Sequence, residues 1–138
     1  MIYIVEDDEN IRQLIEYTFN NMDMKAVGFG TANEFWVNIE KEIPDLILLD
    51  IHMPEMDGFE VLERLQGDLE YKDIPVVFLT ANEEREVEVK GFELGAQDFI
   101  KKPFSADIMI RRVDRILELQ RLQKNLQRAK TCSIGKFK

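Results

Sequence analysis

Four places in this 138-residue sequence put a reactive side chain directly after a short apolar run. Three acids in a row, Glu6, Asp7 and Asp8, follow Ile2–Val5, and a single carboxylate, Asp50, follows Leu46–Leu49. A hydroxyl, Thr80, follows Val76–Leu79, and a lysine pair ending in Lys102 follows Asp98–Ile100. Carboxylates brought together repel one another and raise one another's pKa unless a cation joins them. Oxygen-only ligands suit a hard divalent ion, Mg²⁺ before Zn²⁺. The single histidine, His52, and single cysteine, Cys132, argue against a zinc site. Thr80 and Lys102 would add a hydroxyl donor and a positive charge, which is what the oxygens of a transferred phosphoryl group need. A carboxylate at the centre can itself be the nucleophile and form an acyl phosphate. The chemistry these residues point to is phosphorylation of Asp50, dependent on Mg²⁺.

That chemistry requires the four places to share one edge of a sheet. The apolar runs at 2–5, 46–49 and 76–79 read as short buried strands, Asp98-Phe99-Ile100 as a further short strand, and Lys25–Phe29, closed by Gly30, as a weaker one. Between them lie amphipathic stretches at helical spacing. The first carries Ile11, Leu14, Ile15, Phe19 and Met22, after a cap at Asp8 or Asn10. The second opens with the capping box Thr31-Ala-Asn-Glu34, places Phe35, Trp36 and Ile39 inward and is broken by Pro44. The third spans Gly58–Leu65 with Phe59, Leu62 and Leu65 inward, and the fourth runs from about Glu83 to Leu94, stopping at Gly95. A long final helix follows Ser105, with Ile110, Val113 and Leu117 toward the core. Five strands alternating with five helices predict an α/β fold, a parallel sheet covered on both faces. In such a sheet all carboxyl ends of the strands lie on one edge, where ligands gather. If the first and third strands are neighbours, Asp7 and Asp50 face one crevice.

Net charge of −9 and a pI near 4.7 speak against a large basic footprint for nucleic acid. One cysteine excludes an internal disulfide and fits a reducing compartment. No apolar run approaches the roughly 20 residues of a membrane helix and no signal peptide opens the chain, so a cytoplasmic location is expected.

Together the motifs resemble a two-component response regulator receiver domain, similar to the chemotaxis-regulator type, over residues 1 to about 118. The resemblance rests on Val5-Glu6-Asp7-Asp8, on Leu48-Leu49-Asp50-Ile51-His52-Met53-Pro54-Glu55-Met56-Asp57-Gly58, on Leu79-Thr80-Ala81, and on Gly95-Ala96-Gln97-Asp98-Phe99-Ile100-Lys101-Lys102-Pro103-Phe104. It implies a flavodoxin-like doubly wound sheet in strand order 2-1-3-4-5. It implies that Asp50 accepts a phosphoryl group from a sensor histidine kinase or phosphotransfer protein. The metal, Mg²⁺ with Mn²⁺ as substitute, would be held by Asp7, Glu6 directly or through water, Asp50, and the backbone carbonyl of His52. Thr80 would bond a phosphoryl oxygen, and Lys102, before a cis bond to Pro103, would face the site. Phe99 corresponds to the switch aromatic that turns inward with Thr80. On this reading the chain is a signalling switch that acts on itself, not a turnover enzyme.

Simpler roles fit several neighbours. Asp8 reads as a helix cap, Asp57 as turn and cap chemistry before Gly58, and the His52 side chain as exposed loop. A haloacid-dehalogenase-type phosphatase also uses an Asp at a strand end, but its second acid, two residues on, is here His52. A flavodoxin-like flavin binder would need a phosphate cradle where this chain has three acids.

From Lys101 the chain turns basic, and beyond the expected domain end Leu119, Leu122, Leu126 and Ala129 are spaced as a coiled-coil seam. Residues 119–138 are thus expected to be a helical extension, forming a homodimer or leading to an effector domain whose first strand would begin at Ser133. The other expectation is a stand-alone phosphoacceptor or relay acting by protein binding. Asp98 and Arg112 match one charged pair of the family's winged-helix dimer face, whereas Glu88 and Ile108 depart from it. Neither direct nucleic-acid binding by this part nor membrane contact is expected.

Overall fold

The structure, a computed structural model, describes residues 1–81 and 85–136, the last seven of these for their backbone alone. The elements alternate strictly: β1 (Ile2–Val5), α1 (Glu9–Asn20), β2 (Ala26–Phe29), α2 (Ala32–Ile39), β3 (Leu46–Asp50), α3 (Gly58–Gln66), β4 (Val76–Thr80), α4 (Arg85–Glu93), β5 (Asp98–Lys101) and α5 (Ala106–Lys136). All five strands are parallel, in the order β2-β1-β3-β4-β5. The sequence therefore folds as the flavodoxin-like sheet it resembles. Every residue of β1, β3 and β4 is buried, which is why those runs are continuously apolar and do not alternate.

Alternation survives in where the side chains go. Tyr3, Val5, Ile47, Leu49, Val76, Phe78 and Phe99 pack in one core layer with Phe35 and Ile39 of α2 and Val61, Leu62 and Leu65 of α3. Ile2, Ile4, Leu46, Leu48, Val77, Leu79 and Ile100 pack in the other, against Ile15 and Phe19 of α1 and Met109 and Val113 of α5. Since Ile4 pairs with Leu48, continuing each strand by two residues carries Glu6 and Asp50 to the same end and the same face.

Several local expectations shift. Leu14 and Met22 are exposed, so the buried stripe of α1 is Ile15 and Phe19 with Ile11 beside it. The helix stops at Asn20 because that side chain turns back to β2, donating to Ala26 O and accepting from Ala26 N. Helix α2 ends at Ile39, well before Pro44; the Tyr3 hydroxyl lies against the carbonyls released there, 2.9 Å from Glu42 O and 3.3 Å from Asn38 O. In α5 it is Met109 and Val113 that are fully buried, while Ile110 and Leu117 sit at the margin of the core. The expected start of the fourth helix at Glu83 lies outside the described residues. Its end is a left-handed Gly95 (φ 109°), with Ala96 N–H reaching Gly91 O at 2.9 Å, the pattern that closes helices at glycine. The backbone stays helical through Lys136, so no strand begins at Ser133; residues 137–138 lie outside the description.

The close approach of α3 to the end of β3 also bears on the site. Gly58 N–H donates to Ile51 O at 2.7 Å, and a Cβ at position 58 would lie 2.5 Å from Asp50 O. Only glycine lets the helix start that near the Asp50 backbone. Among the described residues no helix is long and apolar enough to cross a membrane.

Candidate functional site

Asp50 ends β3 almost completely buried, at 4% exposure, and Glu6 follows β1 at 1%. Asp7, one residue further out, is exposed. Carboxylate oxygens of the three lie within 4.8 Å of one another. Lys102 projects into this group from the end of β5, its Nζ 2.7 Å from Glu6 Oε2 and 3.4 Å from Asp50 Oδ1. The bond from Lys102 to Pro103 is cis. Thr80 ends β4 fully buried, and its carbonyl accepts from Lys102 N–H at 2.8 Å, so the β4 and β5 ends are tied together at the site.

The charges do not balance. Among the described residues three carboxylates face one ammonium, and burial strips two of them of water. Burial first, then the charge of Glu6, push the Asp50 carboxyl up to about 7; Lys102 pulls the other way, and hydrogen bonding with Glu6 and Asp7 favours the protonated form. For Lys102, burial favours the neutral amine, but its hydrogen bond to Glu6 and the charges of Asp50 and Glu6 outweigh it and raise its pKa. The ammonium is therefore retained across the physiological range.

Glu6 is held at every polar group. Its N–H donates to Phe29 O at 3.1 Å, Oε1 accepts from Asp8 N–H at 3.2 Å, Oε2 pairs with Lys102, and its carbonyl accepts from Arg12 Nη1 at 2.9 Å. Arg12 was not legible as a site residue from the motifs. The signal lies elsewhere, in glycines at 28 and 30 that leave room for its side chain. Asp8 caps α1 by accepting from Ile11 N–H (3.1 Å), and Asp57 caps α3 by accepting from Glu60 N–H (2.9 Å). His52 is exposed, and its backbone N–H lies 3.3 Å from Asp50 Oδ1.

Phe99 is buried, at 5% exposure, with ring centroids 5.4 Å from Phe78 and 5.0 Å from Phe92. Its ring fills the space beside Gly91, where a side chain would collide with it. The aromatic thus already points inward. Outside it lies a groove of about 420 Å³ lined by Phe92, Phe104, Ile108 and Arg112. Arg112 Nη1 spans Asp98 Oδ1 (3.1 Å) and Phe99 O (2.5 Å), fixing α5 to β5. At the far end of α5, Leu119, Leu122 and Leu126 are 50%, 47% and 61% exposed.

The donors fit a hard divalent cation: they are all oxygen, gathered at one edge, and short of positive charge. Such an ion would add the countercharge that Lys102 alone does not supply.

A family model described as the response regulator receiver domain matches residues 2–114. Among curated proteins, the alkaline phosphatase synthesis transcriptional regulatory protein PhoP of Bacillus subtilis is 38% identical over 117 residues, covering 84% of this chain and 48% of its own length. The DNA-binding transcriptional regulator NtrC of Proteus hauseri is 32% identical over 123 residues, 89% of this chain and 26% of NtrC. The chain spans at most about half the length of these relatives. Among solved structures, the Francisella response regulator 1452 receiver domain superposes with a TM-score of 0.80 at 28% identity, over 86% of this chain and 97% of that one. The chemotaxis protein CheY4 of Vibrio cholerae gives 0.79 at 26%, over 83% and 96%. NtrX from Brucella abortus gives 0.85 at 27%, over 94% of this chain and 30% of NtrX.

The raised Asp50 pKa fixes the sign of a pH effect. Between the ordinary value of 3.8 and about 7 the folded protein keeps a proton that the unfolded chain has lost. Stability therefore falls as pH rises through that window. Urea unfolding in chelator should show Asp50→Asn more stable than wild type at pH 8 by about 1–2 kcal/mol, after allowing for solvent screening at the edge. The gain should shrink toward pH 5. An equal difference at both pH values would contradict this electrostatic account.

Proposed function

The chain belongs to the response regulator receiver domain family, the receiving half of two-component signalling, and on that premise we propose that Asp50 is its phosphoacceptor. The carrying observation is the juxtaposition of one buried carboxylate with two further acids and a lysine at the carboxyl edge of the sheet. Asp7, Asp50, Glu6 directly or through water, and the main-chain carbonyl of His52 would hold Mg²⁺, with Mn²⁺ as substitute. When bound, the ion supplies positive charge both to the carboxylates and to the oxygens of the incoming phosphoryl group.

In the proposed reaction an ionised Asp50 oxygen attacks the phosphorus of a phosphohistidine on a sensor kinase or phosphotransfer protein. The P–N bond breaks, the imidazole nitrogen keeps the electron pair, and an aspartyl phosphate remains on Asp50. Lys102, held protonated, sets its ammonium beside the reacting oxygen and offers it to the phosphoryl oxygens. Thr80 brings a hydroxyl to the same edge as a donor to a phosphoryl oxygen. The chain thus modifies itself and carries a signal, and does not turn over a substrate.

The output would be read at the face around Phe99. The Phe99 ring is inward in this structure, packed between Phe78 and Phe92, so a change at Thr80 would act on an existing packing. Residues 1–118 form the proposed receiver and 119–138 a helical extension, although α5 runs across that boundary unbroken. Relatives of greater length support an effector domain beyond the extension; a stand-alone relay is the second reading. The exposed leucines at 119, 122 and 126 would pair with the same seam of a second copy.

Incubation with acetyl phosphate and Mg²⁺ should add one phosphoryl mass to the intact protein, and chelator or Asp50→Asn should abolish it. Full labelling of Asp50→Asn would overturn the assignment. In sedimentation equilibrium, residues 1–138 should associate while a chain ending at Glu118 remains monomeric. Two identical monomers would rule the seam out.

A further inference from the structure

Arg12 lies outside the ring of charged groups just described, yet it is built into the loop that presents them. Its stem, leaving the first turns of α1, crosses β2 at Gly28, where a Cβ would stand 2.6 Å from Arg12 Cγ and 2.9 Å from Cδ. Its guanidinium then passes over Gly30, where a Cβ would stand 3.0 Å from Nη1. Beyond the two glycines it donates to Glu6 O at 2.9 Å. That carbonyl belongs to the peptide joining Glu6 to Asp7. Rotating the peptide would swing Asp7 relative to Glu6 and Asp50.

The other supports of this loop hold Glu6 and not the peptide that follows. Glu6 N–H is fixed by Phe29 and its carboxylate by Asp8 N–H and Lys102. The Arg12 bond is what anchors the carbonyl. We infer that Arg12 is a positioning residue: bracing the Glu6–Asp7 peptide, it sets the Asp7 carboxylate for the divalent cation, and Gly28 and Gly30 form the channel that lets it reach. This rests on the metal site proposed above.

Electrostatics and bracing predict opposite signs. A guanidinium near a cation site repels the cation, so its removal would tighten Mg²⁺ binding if charge alone mattered. If bracing dominates, removal weakens binding, on the scale of roughly tenfold found for outer partners of metal ligands. Calorimetric Mg²⁺ titrations of the full chain should show about tenfold weaker binding for Arg12→Met. Arg12→Lys, which keeps a donor on a long stem, should recover most of the loss.

Gly28→Ala provides a second route from outside the loop: its methyl would collide with Glu16 Oε1 and stand 2.6 Å from Arg12 Cγ, so both side chains must move. Glu16→Ala alone, which leaves the Arg12 path open, should keep wild-type Mg²⁺ affinity. Gly28→Ala should weaken Mg²⁺ binding in the same direction as Arg12→Met, and combining the two should cost little more, the signature of one shared interaction. Thermal unfolding in chelator confirms that each variant is folded. Wild-type affinity or tighter in folded Arg12→Met would overturn the brace, as would losses that simply multiply in the double variant. Asp7→Asn separates the premises. If wild type binds Mg²⁺ and Asp7→Asn does not, the metal site stands whatever Arg12 does. If wild type does not bind, site and brace fall together.

Discussion

Among the described residues, three carboxylates crowd one sheet edge with a single ammonium between them. This imbalance sets most of what is distinctive about the molecule. Lys102 answers it in part, sitting closer to Glu6 than to Asp50 by 2.7 Å against 3.4 Å. Asp50 is left under-compensated and its carboxyl is pushed up to about 7. A carboxylate in that state has a free energy to gain from any added positive charge. The proposed nucleophile and the proposed metal site are therefore one electrostatic feature. It opposes stability in the resting fold, and a bound cation would relieve it.

The rest of the chain works to keep that feature in place. Parallel pairing of β1 with β3 brings the two most buried acids side by side, and the fully apolar strands beneath them admit no slack. Gly58 lets α3 begin against the Asp50 backbone, and Arg12 threads past two glycines to hold the Glu6 carbonyl. Asp8 and Asp57 start the helices that leave the site. On the α4–β5–α5 side, the ladder Phe59–Phe78–Phe99–Phe92 links the core beneath the site to an exposed ring on α4, a packed route by which a change at Thr80 would reach the surface.

Much of this was legible in the sequence because it was written in local patterns. The buried strands read as unbroken apolar runs, the parallel sheet followed from strict alternation, its strand order came with the family resemblance, and the gathering of Glu6, Asp7, Asp50 and Lys102 followed from their common position at strand ends. What escaped depended on partners distant in the chain. Periodicity counted Leu14 with the α1 core, but a helix buries only the arc that meets the sheet, and Leu14 lies off it. On α5 the helical spacing of Ile110, Val113 and Leu117 does not single out Met109, which is fully buried, because one residue decides which side of the helix faces inward. Arg12 looked like an ordinary helix-surface cation, and only the placement of β2 shows why positions 28 and 30 carry glycine. The inward setting of Phe99 likewise depends on a missing side chain at Gly91, on a different element.

The central claim is that position 50, and no neighbouring acid, carries the phosphoryl group. Borohydride reduction of the phosphorylated chain converts an aspartyl phosphate to homoserine, and peptide mass spectrometry locates it. The account predicts homoserine at residue 50 alone, in wild type treated with acetyl phosphate and Mg²⁺. Conversion at Asp7, Asp8 or Asp57 with Asp50 intact would contradict it.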